Sequence, residues 1–364
     1  MKKINADTCK QLLGQRIVSR RAALGAAAAG AGAVALAGCS SSTDADSGSA
    51  AGSAAASSGA DSAELTPITF VLDWTPNTNH TGVYVAAAQG YYEEAGLEVT
   101  IVQGPDDGAD ALVASGEADF GVSFQDTMAA YVSGDSTLPV TAVAAIIQHN
   151  TSGIISLAEK GITSPAGMCG HTYATWELPI EQGVIQRCVE ADGGDYSEVE
   201  LIPSTVTDEV TALQNDQVDT IWIYWGWAGV KCELEGLDTN YFAFVDFDDT
   251  FDYYTPVIIA NDELIESDPT TVQAFVDATK RGYEFAIEDP EAAAAILLEA
   301  APELDEELVY ASQEYLSSVY APDDGVEWGM LDQDRWDSFF QWVSDEGFAD
   351  AIDAGAGMTT QFLA

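Results

Sequence analysis

Basic side chains are nearly missing from most of this 364-residue chain. Beyond residue 38 only Lys160, Arg187, Lys231, Lys280, Arg281 and Arg335 occur, whereas every acidic residue except Asp7 lies there, and the formal net charge is −48. A body so acidic repels phosphate backbones, which excludes nucleic acid as a partner. The acidity otherwise reads as a solvated surface and says little about which small ligand binds. Cysteine is equally scarce. Cys9 and Cys39 belong to the N-terminal segment, leaving Cys169, Cys188 and Cys232, an odd set that permits at most one disulfide. Cys-x-x-Cys is absent, and His80, His149 and His171 stand apart, so no metal site is expected. What is plentiful is apolar: 47% of residues are hydrophobic and 10% aromatic, enough for sizeable cores.

The first 38 residues read as an export signal. A basic stretch holding Lys2, Lys3, Lys10, Arg16, Arg20 and Arg21 precedes an Ala/Gly-rich apolar run, 22–38, too short for a membrane span. Ser19-Arg20-Arg21-Ala22-Ala23-Leu24 resembles a twin-arginine signal, with general secretion as the other route. Leu36-Ala37-Gly38-Cys39 resembles a bacterial lipobox, which makes Cys39 the first mature residue and the site of lipidation. Residues 40–65 are almost wholly small and polar, a tether with a reach of roughly 30 Å. The predicted body is therefore extracytoplasmic, held to the cell membrane only through the lipid on Cys39.

From residue 68 onward, short apolar runs alternate with helical patterns. ITFVLDW (68–74), LEVTIVQG (97–104), FGVSF (120–124) and VTAVAAIIQ (140–148) read as strands separated by helices. The alternation resumes at HTYATW (171–176), VELIPS (199–204) and TIWIYWG (220–226), and the chain turns mostly helical after YYTPVIIAND (253–262). Strands alternating with helices predict parallel sheets covered on both faces. The expected α/β architecture has two lobes, the second inserted in the first: 66–158 and 255–364 form lobe 1, and 159–254 form lobe 2.

In open parallel sheets, ligands sit outside the carboxyl ends of the strands. Those ends carry Asp73-Trp74-Thr75-Pro76-Asn77-Thr78-Asn79-His80, Ser123-Phe124-Gln125, Thr175-Trp176 and Tyr224-Trp225-Gly226-Trp227. Four separate ends thus offer an aromatic ring, mostly beside an amide or hydroxyl. This suits a flat, neutral or weakly cationic heteroaromatic ligand. None of the six basic residues falls there, which disfavours phosphate or sulfonate. Each ring has a plainer reading as core packing, and His80 as a satisfied loop histidine. Trp222 and Trp225 are odd-spaced on one strand and must face opposite sides.

The stretch LDWTPNTNHTGVYVAAAQGYYEEAGLEV (72–99) resembles the thiamine-pyrimidine-precursor binding lipoproteins of ABC importers, a family related to the fungal pyrimidine synthase of thiamine biosynthesis. The likeness continues through SGEADFGVSFQD (115–126), SPAGMCGHTYATWELPIE (164–181), IWIYWGWAGV (221–230) and EWGMLDQDRWDSFFQWVSDEG (327–347). It implies a type II periplasmic-binding fold closing on an aminopyrimidine, such as a hydroxymethyl- or formylaminomethyl-pyrimidine. By the same resemblance Trp74, Asn77, His80, Tyr84, Ser123 and Gln125 line lobe 1, and Trp176, Glu181, Tyr224 and Trp225 line lobe 2. Ala228 stands where family members often carry an acid. Partners implied are an ABC permease and its ATPase, with the binding protein itself a monomer.

The fungal relatives use pyridoxal phosphate held by a lysine, with a histidine consumed as substrate, and His80 aligns with that histidine. Only Lys160, Lys231 and Lys280 remain in the body, and Pro76 and Asn77 occupy the stretch where the lysine is wanted. No catalysis and no cofactor are therefore expected; binding of another small heteroaromatic compound is the alternative. Glu181 keeps two readings. Pro179 at the first helical position puts it in a first turn, where a carboxylate complements the helix end. Equally, it could accept from the exocyclic amine of the ligand.

Overall fold

The computed structural model describes residues 65–363, apart from 106, 107, 135, 136, 205, 207 and 324. The export signal, Cys39 and the tether lie outside the described residues. Among the described residues no helix is long and apolar enough to cross a membrane.

Two five-stranded sheets organise the body. The first uses β1 (Thr66–Val71), β2 (Leu97–Val102), β3 (Phe120–Ser123), β4 (Val140–Ala145) and β10 (Val257–Asn261), in the order β2-β1-β3-β10-β4. The second uses β5 (Ser152–Leu157), β6 (Thr172–Thr175), β7 (Glu200–Pro203), β8 (Thr220–Tyr224) and β9 (Thr239–Ala243), in the order β7-β6-β8-β5-β9. Two expectations need correction. The sheets are mixed: β10 runs antiparallel to β3 and β4, and β5 antiparallel to β8 and β9. Moreover β5, read with lobe 1 when the boundary is set at 158, belongs to the second sheet. Both departures have one cause. The chain passes between lobes at 146–151 and 252–256, so β5 and β10 enter their sheets from the crevice side. Ser152 therefore sits opposite Tyr224, and Val257 opposite Ser123, each at the carboxyl end of its neighbour.

Part of the acidic surplus starts helices. Asp208, Asp268, Asp289, Asp305 and Asp332 each accept a backbone N–H in the first turn of α5 (Glu209–Gln214), α7 (Pro269–Glu288), α8 (Pro290–Ala300), α9 (Glu306–Ser317) and α10 (Gln333–Asp345). Each such cap is worth about 1 kcal/mol. The earlier helices that matter for the site are α1 (Thr81–Ala88), α2 (Asp110–Ala114), α3 (Gln125–Met128) and α4 (Pro179–Ala191), with α6 (Val230–Leu234) following β8.

In lobe 1, Phe275 of α7 stacks on Phe120 of the central strand at 3.9 Å. A second core centres on α10, whose Trp336, Phe339 and Phe340 pack in one cluster with Val184 and Cys188 of α4 and with Tyr253 and Tyr254 of the return crossover. Burial holds the Cys188 thiol up at about 12, and Cys169, Cys188 and Cys232 are all free thiols. The C-terminal segment thus braces both lobes instead of belonging to the first alone.

The crossovers are pinned by charge. His149 lies 2.6 Å from Asp252 and 2.9 Å from Asp323, while Arg335 pairs with Asp252 at 2.9 Å and Asn150 N–H donates to the same carboxylate. Partial burial pulls the His149 pKa down, but hydrogen bonds to the two carboxylates outweigh it and the net direction is up. A raised histidine pKa contributes stability that is complete below the ordinary value and lost as pH climbs through the folded one. Wild type should therefore lose part of its stability advantage over His149→Gln as pH rises above the ordinary histidine value of about 6.5, read by thermal melts. An advantage independent of pH would show that the crossovers are held otherwise.

Candidate functional site

The loop after β1 is rigid because its polar atoms satisfy one another. Asn77 caps the turn Thr78–His80, its Oδ1 accepting from Asn79 N at 2.9 Å. His80 is wholly buried; its Nδ1 accepts from Asn77 N at 3.2 Å, so Nε2 carries the proton donated to Asp73 Oδ1 at 2.6 Å. Tyr320 and Tyr283 hydroxyls donate to Thr78 O and Asn79 O, both at 2.6 Å. His80 and Asn77 therefore shape the loop, and no ring nitrogen of His80 is left for a ligand. Trp74, at the tip, is 54% exposed. Tyr84 is buried behind the loop in the α1 core, with no partner for its hydroxyl; burial raises its pKa.

At the end of β3 the two residues singled out in sequence are also committed. Ser123 Oγ donates to Asp110 Oδ1 at 2.5 Å, an oxygen that also accepts from Tyr131 OH. Gln125 is fully buried, donating to Trp336 O at 2.8 Å and accepting from Tyr254 N at 2.9 Å. It staples the first lobe to the return crossover and to α10.

Lobe 2 presents its aromatics on one face of β8. Trp222 packs on Phe244 at 4.2 Å and on Trp176 at 5.5 Å, while Tyr224 meets Phe124 of lobe 1 at 6.2 Å. Trp176 is 45% exposed, beside the still more exposed Leu178. Trp225 turns to the other face, against Tyr241 at 4.7 Å, so it lies away from these rings.

Glu181 is 4% exposed and its carboxylate is saturated. Oε1 accepts from Tyr173 OH (2.6 Å) and Trp176 N (3.0 Å); Oε2 accepts from Thr175 Oγ1 (3.0 Å) and Leu178 N (3.2 Å). Four donors fill the roughly four lone-pair sites of a carboxylate. The ligand-accepting reading of Glu181 gives way to a positioning one: it fixes the turn that carries Trp176.

The residue that sequence reasoning passed over is Asp126, one position past Gln125 in the first turn of α3. It is half-buried, its Oδ1 is buried and lacks a hydrogen-bond partner, and burial pushes its pKa up to about 6. The N–H groups of Asp126 and Thr127 and the nearby Tyr253 hydroxyl offset part of that rise, and Asp110 adds to it. Tyr253 is fully buried; its hydroxyl and Ser152 Oγ each lack a well-aligned hydrogen bond, while the hydroxyl lies close enough to Asp126, Asn150 and Ser152 to interact with all three. Tyr224 approaches from lobe 2, close enough that Asp126 and Asp73 help raise its pKa after burial. The strand-end rule reached Gln125; one residue more would have found Asp126. Tyr253, on a crossover and not at a strand end, carried no such signal.

Among the described residues every basic side chain is engaged elsewhere. Lys160 pairs with Asp216 and Asp219, Arg187 with Asp248, Lys231 with Asp208, Lys280 with Glu327, Arg281 with Glu94 and Arg335 with Asp252. The crevice groups are thus carboxylates, hydroxyls and rings without a counter-charge. Residues 77–293 match the family model described as NMT1/THI5 like. The chain belongs to the NMT1/THI5 like family.

Within that family it is 30% identical over 294 residues to the formylaminopyrimidine-binding protein of Halalkalibacterium halodurans, covering 79% of this chain and 87% of that protein. It is also 29% identical over 255 residues to the 4-amino-5-hydroxymethyl-2-methylpyrimidine phosphate synthase of Legionella pneumophila, covering 65% and 74%. The family chain shares its fold with the periplasmic aliphatic sulphonate binding protein SsuA from Escherichia coli, with a TM-score of 0.62 at 14% identity, covering 82% of this chain and 92% of that one. The fold is thus the two-lobed type II periplasmic-binding architecture.

Proposed function

We propose that this protein is the substrate-binding lipoprotein of an ABC importer, capturing a thiamine pyrimidine precursor between its lobes and delivering it to a permease. The observation that carries the reading is the chemistry at the strand ends: Trp74 and Trp176 exposed, Phe124 stacked on Tyr224 across the lobes, an Asp126 carboxylate whose Oδ1 lacks a hydrogen-bond partner, and every lysine and arginine among the described residues paired elsewhere. Rings stack on a flat heterocycle, and a carboxylate accepts from an amine or a protonated ring nitrogen. A sulfonate would meet a carboxylate there and no lysine or arginine to pair with. The similarity to a formylaminopyrimidine-binding protein supports the same ligand class.

The synthases among the relatives raise the enzyme reading, which the residues here do not fit. Lys160, Lys231 and Lys280 are each tied to carboxylates, and none is among the residues brought together at 73–80 and 123–126. His80 is buried with both ring nitrogens engaged. A pyridoxal phosphate Schiff base has no lysine to form on, so we read the protein as a binder and not an enzyme. Export, lipidation at Cys39 and a monomeric body complete the reading.

Capture follows from population shift. A ligand that touches both lobes favours the closed form only by its differential affinity for it. Native mass spectrometry of the purified protein should reveal a co-purified adduct with the mass of an aminopyrimidine. An adduct of another compound class would overturn the assignment.

A further inference from the structure

Buried polar groups are almost always paired, because one left open forfeits the hydrogen bonds it made to water. Three that lack a well-aligned hydrogen bond lie near one another, Asp126 Oδ1, Tyr253 OH and Ser152 Oγ, with Tyr253 close to both of the others. Asp126 comes from the first turn of α3, Tyr253 from the return crossover and Ser152 from the start of β5, and Tyr253 lies beside both, so the crossover joins groups from the two lobes. Tyr253 is held there by its ring, stacked on Phe339 of α10 at 4.2 Å. No lysine or arginine is free to neutralise the carboxylate, since all six in the described residues have other partners. The histidines are spent as well: His80 of the loop after β1 on Asp73, and His149 of the first crossover on Asp252 and Asp323.

We propose that Asp126 and Tyr253 form the specificity end of the crevice, reading the donor edge of the ligand: an exocyclic amine beside a ring nitrogen that carries or shares a proton. This rests on the aminopyrimidine reading above and goes past it, because it says which protein atoms distinguish an aminopyrimidine from any other flat heterocycle. Asp126 accepts from the amine and the ring N–H. Tyr253, whose hydroxyl can donate as well as accept, completes the carboxylate or the ligand's remaining polar atom. The rings at the crevice then supply affinity for shape and Asp126 supplies the choice. A site built around a substrate's N–H rejects the analogue that lacks it far better than an apolar pocket rejects a missing methylene, since the protein acceptor is left buried and unpaired.

Protonation adds a signature. Asp126 titrates at about 6, so at pH 7.5 it is mostly ionised and at pH 5 mostly neutral. The groups around it are Asp110 from α2, Tyr224 and, farther off, Asp73 from the loop after β1, together with Tyr253; Tyr224 and Tyr253 have pKa values raised by burial and stay neutral throughout. The preference for an amine should therefore weaken on acidification through the Asp126 carboxyl.

The test titrates 4-amino-5-hydroxymethyl-2-methylpyrimidine and its analogue with methyl in place of the amine into wild type, Asp126→Asn and Tyr253→Phe. Wild type should prefer the amine by about 10- to 100-fold at pH 7.5 and by much less at pH 5. Asp126→Asn should bind the two compounds within a few-fold of each other, with no pH dependence in the ratio, and Tyr253→Phe should fall between. Thermal melts accompany each variant, so that loss of fold is told apart from loss of recognition. An amine preference that survives in Asp126→Asn overturns this proposal alone. Wild type that binds neither compound overturns the aminopyrimidine reading, and this proposal with it.

Discussion

Replacing Glu181 with alanine is expected to lower the unfolding free energy by about 3–5 kcal/mol, in the range for breaking a buried charged pairing. The reason lies in what it leaves behind. Tyr173 is fully buried and Thr175 nearly so, and both hydroxyls donate to this carboxylate. Removing the acceptor strands both, at about 1–3 kcal/mol each, and releases the N–H groups of Trp176 and Leu178 at the start of α4. Glu181→Gln should cost less, because its amide keeps one oxygen and its NH2 can donate to a hydroxyl but not to the facing N–H groups. Urea denaturation of the two variants measures the difference. Ligand affinity should fall less than stability, since Glu181 acts through the turn that places Trp176. An Ala variant as stable as wild type but unable to bind would restore Glu181 to direct ligand contact.

Gly282→Ala should destabilise the protein by about 3 kcal/mol, against the usual trend that alanine stabilises a helix interior by about 1 kcal/mol over glycine. A Cβ at 282 would lie 1.9 Å from Gly82 O, and one at Gly82 would lie 2.2 Å from the Tyr283 ring. Helices α1 and α7 therefore cross at two glycines with backbone almost touching backbone. Tyr283 cannot yield, being stacked on Trp328 at 4.2 Å and hydrogen-bonded to Asn79 O. The clash must push α1 outward, and α1 begins where the His80 turn ends. Stability and ligand affinity should therefore fall together, as read by a chemical melt and a binding titration. A Gly282→Ala variant more stable than wild type would mean the helices part without cost.

The strand–helix alternation was legible because central strands such as β3 and β10 are buried on both faces and read as continuous apolar runs. Strand direction was not. Nothing in GIIS or VIIAN distinguishes a strand entered from a hinge from one entered after a helix, and β5 itself escaped notice. Parity along β8 did show that Trp222 and Trp225 part company, although which one neighbours Trp176 needed the structure. The site was legible as a region and less so as a set of atoms. Asn77, His80, Ser123, Gln125 and Glu181 are polar residues at strand ends, where ligand contacts and loop-building contacts draw on the same residue types. Only their hydrogen-bond partners reveal that the protein itself consumes them. Asp126 is the converse case: its importance is a missing partner, and no sequence pattern records an absence.

The central claim is that the crevice holds an aminopyrimidine, and calorimetric titration at pH 7.5 tests it most directly. Formylaminomethyl- or hydroxymethyl-aminopyrimidine, injected into ligand-stripped protein, should give a saturating one-to-one isotherm with quenching of tryptophan fluorescence, while an aliphatic sulfonate under the same conditions gives no binding. A flat trace with both aminopyrimidines, or saturation by the sulfonate, would contradict the account.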